Sequence, residues 1–209
     1  MRNGLSVKPR QGCDIGRGGH RAEHRPGEGV EEGTVTDVRH DETDQESGRR
    51  AAFREQAERI RAKHLAPDGQ RPASSTRGVH HVALLSSDVE RTVEFYQGLL
   101  EMPLTELFEN RDYAGSSHFF FDIGHGNLLA FFDMPGLDLG PYAEVLGGLH
   151  HLCISVERER WEHLKGKLDA AGVEYLEESD ASLYFRDPDG ARVELLSDPL
   201  GEMYGSKVL

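Results

Sequence analysis

The chain has 209 residues, a formal net charge of −13 and 37% hydrophobic residues. That length suits one compact domain with a tail, or two small domains. The acidic balance argues against a nucleic-acid partner and against an anionic membrane surface, both of which favour basic proteins. The two cysteines, Cys13 and Cys153, lie too far apart in sequence and setting to suggest a disulfide framework or a zinc ribbon. No apolar run approaches the roughly 20 residues of a membrane helix, and the first residues hold no apolar stretch of the secretory kind. A cytoplasmic protein is expected.

Residues 1–75 are rich in Gly, Arg, Asp, Glu, Pro and Ser and poor in large apolar side chains. Such a segment buries too little surface to offset chain entropy, so a largely disordered extension is expected. Within it AAFREQAERIRAKHL, residues 51–65, carries a weak stripe of Phe53, Ala57, Ile60 and Leu65 and predicts a possible helix. GEGVEEG, residues 27–33, is compatible with purine-rich codons resembling a ribosome-binding site, so Val35 is a candidate native start. PDGQRPASST then has the composition of a linker.

A domain is expected over 76–209. VHHVALL predicts a strand, and SDVERTVEFYQGLLEM a helix opened by a Ser87-x-x-Glu90 capping box. LTELFENRDY, SSHFFFDIG and NLLAFFDM predict three further strands between Gly, Asn and Asp turns. The order then repeats. LHHLCISVE predicts a strand, and RERWEHLKGKLDAAG a helix with Trp161, Leu164 and Leu168 on one face and Gly172 at its end. VEYLEESD, SLYFRD and ARVELLS supply three strands. The chain is therefore expected to hold two βαβββ modules, 78–135 and 148–199.

Side chains alternate across a strand. In the first strand Val82 and Leu84 should meet the helix, leaving His81, Ala83 and Leu85 on the other face. In the fifth, Leu152 and Ile154 should meet the helix, leaving His151, Cys153 and Ser155. In the eighth, Arg192, Glu194 and Leu196 share the outward face. The equivalent of Glu194 in the first module is Ala130. Two histidines and one glutamate, on one face and with positions left open, suit a catalytic divalent ion: Fe(II) first, with Mn(II) or Zn(II) as rivals. An isolated buried Glu194 would be costly, so a metal or an ion pair, with Arg192 the obvious rival, must satisfy it.

GVHHVALLSSDVERTVEFYQGLL, GGLHHLCISVE and LYFRDPDGARVELLSDP together resemble the vicinal oxygen chelate superfamily of glyoxalases, bleomycin-resistance proteins, fosfomycin-resistance transferases and extradiol dioxygenases. The resemblance covers roughly 78–199. It implies an α+β fold of paired βαβββ modules forming a curved mixed-sheet cup around a divalent metal, with Ni(II) and Co(II) among the ions it admits. His81, His151 and Glu194 match the ligand positions on the first, fifth and eighth strands. Glyoxalase I enzymes carry a fourth ligand where this chain has Ala130. Tyr184 matches the substrate-contacting tyrosine of extradiol dioxygenases, but the histidine that precedes it there has no counterpart, and His125 or His118 would have to serve as acid–base group.

The leading expectation is a metal-dependent, dioxygenase-like enzyme acting on a small substrate that chelates the ion through vicinal oxygens. The alternatives are a glyoxalase-type isomerase or lyase and a non-catalytic drug-binding resistance protein. A homodimer is the expected assembly.

Overall fold

The computed structural model describes residues 35–209, with side chains from residue 45 onward. The expectations for residues 1–34, disorder and an alternative start included, lie outside the described residues. The described residues divide into two units on either side of the Ala73–Ser74 bond.

In the first unit, helix α1 runs from Val35 to His64, well beyond the 51–65 segment expected. Its added N-terminal half, VTDVRHDETDQESGRR, has Val35 and Val38 as its only large apolar residues and offers no sustained apolar periodicity to detect. Pairs one turn apart, Glu46 with Arg50 and Glu55 with Arg59, lie along its surface. Phe53 and Ile60, the expected stripe, are both exposed. Among the described residues no helix is long and apolar enough to cross a membrane.

The second unit contains the duplicated modules. In module one, β1 (His81–Ser86) is followed by α2 (Val89–Val93), a π-helical turn (Glu94–Leu99), β2 (Leu104–Glu109), β3 (Ser117–Asp122) and β4 (Leu128–Asp133). In module two, β5 (Leu152–Ser155) leads to α3 (Arg158–Ala171), β6 (Tyr175–Glu178), β7 (Ser182–Arg186) and β8 (Arg192–Leu196). The sheets have the same topology, β1-β4-β3-β2 and β5-β8-β7-β6. In each, the first strand pairs in parallel with the last and the others pair antiparallel. The mixed-sheet α+β architecture read from the sequence is the one found. A short hairpin, β9 (Glu202–Met203) and β10 (Ser206–Lys207), follows β8 and was not foreseen.

Alternation places the core where expected. Tyr96 packs on Phe121 and Phe131 in module one, with ring centroids 5.4 and 5.1 Å away. Trp161, Leu164 and Leu168 of α3 are buried with Leu183, Val193 and Leu195 of β7 and β8. The Trp161 indole donates to the Leu195 carbonyl at 3.2 Å, which satisfies its buried N–H. Gly172 ends α3 at φ 67°, a left-handed conformation that glycine adopts without steric cost.

The capping prediction for α2 is corrected. Asp88, not Ser87, is the cap, and its carboxylate accepts the Arg91 N–H. Ser87 instead turns to Asp189 of module two, to which it donates both its N–H and its hydroxyl. The π-helical turn that follows lets adjacent Phe95 and Tyr96 both turn inward: Tyr96 is fully buried, and Phe95 lies 6.1 Å from Phe185 of module two.

Polar contacts also join the modules. Buried Asp187, at the start of the Asp187–Gly190 turn, accepts the Tyr96 hydroxyl at 3.2 Å and the N–H groups of Asp189 and Ala191. Arg91 pairs with Asp189 at 2.9 Å. Glu101 accepts from His163 and Lys167 of α3 and also pairs with Arg160. These contacts and the shared core fix the two modules against each other.

Candidate functional site

Strands β7 and β8 set opposite one another Ser182 and Leu196, Tyr184 and Glu194, and Arg186 and Arg192. By alternation all six belong to the face of sheet two turned away from α3. Cys153 of β5 joins them beside Glu194, and His151 stands at the entrance to β5.

Glu194 is 3% exposed. An unpaired carboxylate there would carry a heavy desolvation cost. Two contacts offset it. His151 Nε2 lies 3.1 Å from Glu194 Oε2, and the Ser182 hydroxyl donates to Oε1 at 2.6 Å. Arg192, the rival partner expected from sequence, is directed to Glu144 instead. His151 and Glu194 thus present a nitrogen and an oxygen to one point, with Ser182 fixing the carboxylate from behind.

Tyr184 closes one side. Its ring meets the His151 imidazole edge to face at 5.7 Å. Its hydroxyl lies 3.3 Å from that of Tyr204, which is also 3.4 Å from Ser182 Oγ. Desolvation, then Tyr204, then Glu194 push the Tyr184 phenol well above its ordinary range. Desolvation and the Glu194 carboxylate likewise push the Cys153 thiol up to about 12, which keeps it protonated and a weak nucleophile at neutral pH.

Tyr204 was missed in the sequence. It sits at φ 51° in the β9–β10 turn, with its N–H donated to the Asp198 carboxylate. A non-glycine residue in the left-handed region is uncommon. Nothing in the local sequence signals it, because the residue follows the last predicted strand. Ser182 was legible in principle, since it lies two residues before Tyr184 and so on the same face.

His81 occupies the equivalent place on sheet one. The duplication is visible at atomic level: His80 Nδ1 and His81 Nδ1 are 3.0 Å apart, as His150 Nδ1 and His151 Nδ1 are at 2.6 Å. The register repeats too, with Ala83 opposite Ala130 where Cys153 is opposite Glu194. The face around His81 is aromatic. His118 stacks on Phe132 at 3.8 Å and lies 4.3 Å from Phe120. Its Nε2 is buried without a partner, and desolvation, followed by the neighbouring His81, lowers its pKa. Leu85 and Phe108 are nearly half exposed, although both are large and apolar.

The structure therefore brings together His151, Glu194 and Tyr184 but not His81. Among the described residues, no group of three His, Cys, Asp or Glu side chains is close enough to hold a metal ion. His151 and Glu194 fit a divalent ion in donor type, and a single chain supplies two of the three expected ligands at that point. His125 stands at the exposed tip of the β3–β4 turn at φ 52°. It lines a cavity of about 730 Å³ with Cys153, Asp198 and neighbouring residues, and Tyr184 is not among the residues of that cavity.

Residues 78–195 match the model of the Glyoxalase/Bleomycin resistance protein/Dioxygenase superfamily. Over 142 residues the chain is 26% identical to "Putative ring-cleaving dioxygenase MhqA" of Bacillus subtilis (strain 168), covering 63% of this chain and 43% of that protein. The chain thus spans less than half the length of this relative. It is 29% identical over 133 residues to "Metallothiol transferase FosB" of Shouchella clausii (strain KSM-K16), covering 60% of this chain and 83% of that one. A glyoxylase/bleomycin resistance protein/dioxygenase domain from Frankia sp. EAN1pec superposes with a TM-score of 0.53 at 23% identity, covering 61% of this chain and 96% of that one. This last likeness shows the fold.

Proposed function

The chain belongs to the Glyoxalase/Bleomycin resistance protein/Dioxygenase superfamily, and on that footing we propose that it is a divalent-metal-dependent enzyme acting on a small substrate with two adjacent oxygens. The observation that carries this reading is the buried Glu194 carboxylate, anchored by Ser182 and facing His151 Nε2 at 3.1 Å. A buried acid beside a partly exposed imidazole is a costly arrangement for a purely structural pair. A bound cation offsets that cost.

His81 of a second copy is the third ligand. The aromatic face around His81 and the polar face around His151 are complementary halves of a cup, and large apolar side chains stay open on the first half. Pairing two chains covers those side chains and brings the separated ligands together. The assembly is a homodimer with each site shared between copies.

When bound, the ion supplies Lewis acidity to two neighbouring substrate oxygens. Fe(II) fits the two-histidine, one-carboxylate set, and Mn(II), Zn(II), Ni(II) and Co(II) are its competitors. The protein's part is to orient and to hold protons. Ser182 fixes the Glu194 carboxylate. The Tyr184 hydroxyl, protonated at neutral pH, donates to a substrate oxygen, with Tyr204 setting its direction. The leading reaction is dioxygenase-like cleavage of a catechol-type substrate. One observation favours a redox-neutral isomerase or lyase as second reading: the Tyr184 hydroxyl meets Tyr204 and the Glu194 carboxylate, and among the described residues no histidine hydrogen-bonds to it.

Elemental analysis of the protein, with His151→Ala as control, tests metal binding. Fe(II) loading without air, followed by catechol-type substrates and dioxygen, tests the reaction. Oxygen uptake supports ring cleavage. Turnover with Mn(II) or Zn(II) in the absence of oxygen supports the second reading, and no metal retained by the wild-type protein overturns both.

A further inference from the structure

One step along the strands from Tyr184 and Glu194, the same face carries a second cluster. Arg186 and Arg192 are a cross-strand pair, two residues from Tyr184 and Glu194, or about 7 Å at the usual rise of a strand. Both arginines converge on the carboxylate of Glu144 in the segment joining the modules. Arg192 Nη2 reaches Oε1 at 2.5 Å and Arg186 Nη2 reaches it at 3.5 Å, while His150 Nε2 lies 3.8 Å from Oε2. Arg192 Nη1 also contacts His150 Nε2 at 3.2 Å. Two guanidinium groups thus meet at one carboxylate in a chain whose net charge is −13.

Glu144 is carried by a connecting loop. The segment around it has no helix or strand and contains Gly147 at φ 81°. Arg186 lies over the Tyr142 ring at 5.4 Å, and the Tyr142 hydroxyl donates to the Leu149 carbonyl at 2.6 Å. Arg186, Arg192, His150 and Tyr184 line one cavity of about 780 Å³, to which Glu174 and Glu178 also contribute. Those two acids stand on or just before β6, and β7 separates them from Arg192 on β8.

The geometry points to Arg186 and Arg192 as a subsite for a carboxylate on the substrate, occupied in the free protein by the chain's own Glu144. Paired guanidinium groups suit a planar carboxylate, which each can meet with parallel N–H donors. The proposed metal reading is needed only to say which end of the substrate faces His151 and Glu194. Together the two sites select a small acid that carries adjacent oxygens at one end and a carboxylate roughly 7 Å away. Substrate binding must displace Glu144, so the connecting segment swings out as the ligand enters.

The test uses the metal-free, full-length protein and benzoate as probe, with benzamide as its neutral counterpart, followed by calorimetric titration. Glu144→Gln removes the internal competitor, whose effective concentration is that of a tethered group. Benzoate is expected to bind this variant at least about tenfold more tightly than wild type, with benzamide unchanged. Adding Arg192→Gln should abolish the gain. Circular dichroism checks folding, and Arg186→Gln takes the place of Arg192→Gln if the latter unfolds. Equal benzoate affinity in wild type and Glu144→Gln overturns the subsite, as does a gain that survives loss of the arginine. Because no metal is present, failure of the metal reading leaves this outcome untouched.

Discussion

Ser182 Oγ and Glu194 Oε1 are 2.6 Å apart on neighbouring strands, and the hydroxyl is the donor that holds the buried carboxylate opposite His151. Such supporting hydrogen bonds orient a ligand and set its basicity. Ser182→Ala is therefore expected to weaken divalent-metal binding by about 10–100-fold. Leaving the acid short of a partner should also lower stability by about 1–3 kcal/mol. Competition with a chromogenic chelator measures the first effect, and urea unfolding the second. Unchanged metal affinity would detach Ser182 from the site.

His81 and His151 lie on different sheets, and the proposed site takes one from each of two copies. His81→Ala and His151→Ala should each be inactive alone. Unfolded and refolded together, they form mixed dimers in which one of the two sites is intact. Random pairing then restores roughly a quarter of wild-type activity. A site closed within one chain gives no recovery, so the mixing experiment separates the two arrangements.

Tyr204 raises the pKa of the Tyr184 phenol through their hydroxyl contact. Removing that hydroxyl by Tyr204→Phe should bring the Tyr184 titration down toward the ordinary tyrosine range. It stays above that range, because desolvation and Glu194 remain. Ultraviolet difference titration, with Tyr184→Phe used to assign the signal, reads the shift. A titration identical to wild type would mean that the hairpin leaves the phenol unaffected.

Glu101 joins the modules, and its carboxyl is held down to about 2 by hydrogen bonds from Lys167 and His163. A depressed carboxylate pKa adds stability above the unfolded value of about 4.3, and that stability is lost as pH falls through the folded value. The melting temperature of Glu101→Gln should therefore trail wild type by a steady margin near neutral pH. The margin should shrink between about pH 4.3 and pH 2. High salt should reduce it as well, because the cluster is solvent-facing. Thermal melts across pH and salt check both trends.

The features legible in the sequence were those with a period. Alternation at His81, Ala83 and Leu85 located the outward face of β1, and the repeat of His80–His81 at His150–His151 exposed the duplication. The polar half of α1 left no stripe to read, so its start was missed. Ser87 fits a capping box by sequence, but a contact with Asp189 across the modules overrode the local motif. Glu144 with Arg192, and Tyr204 with Tyr184, meet only because strands and connections fold together. Pairs of that kind have no periodicity in one dimension.

The matching register of Ala83 with Ala130 and Cys153 with Glu194 also bears on descent. A forebear consisting of a single unit, packed against its own twin, would present identical chemistry on both sheets. With alanine in one repeat and an acid in the other, that equivalence is broken. Under the proposed function, the first repeat supplies a greasy wall and the second the acid.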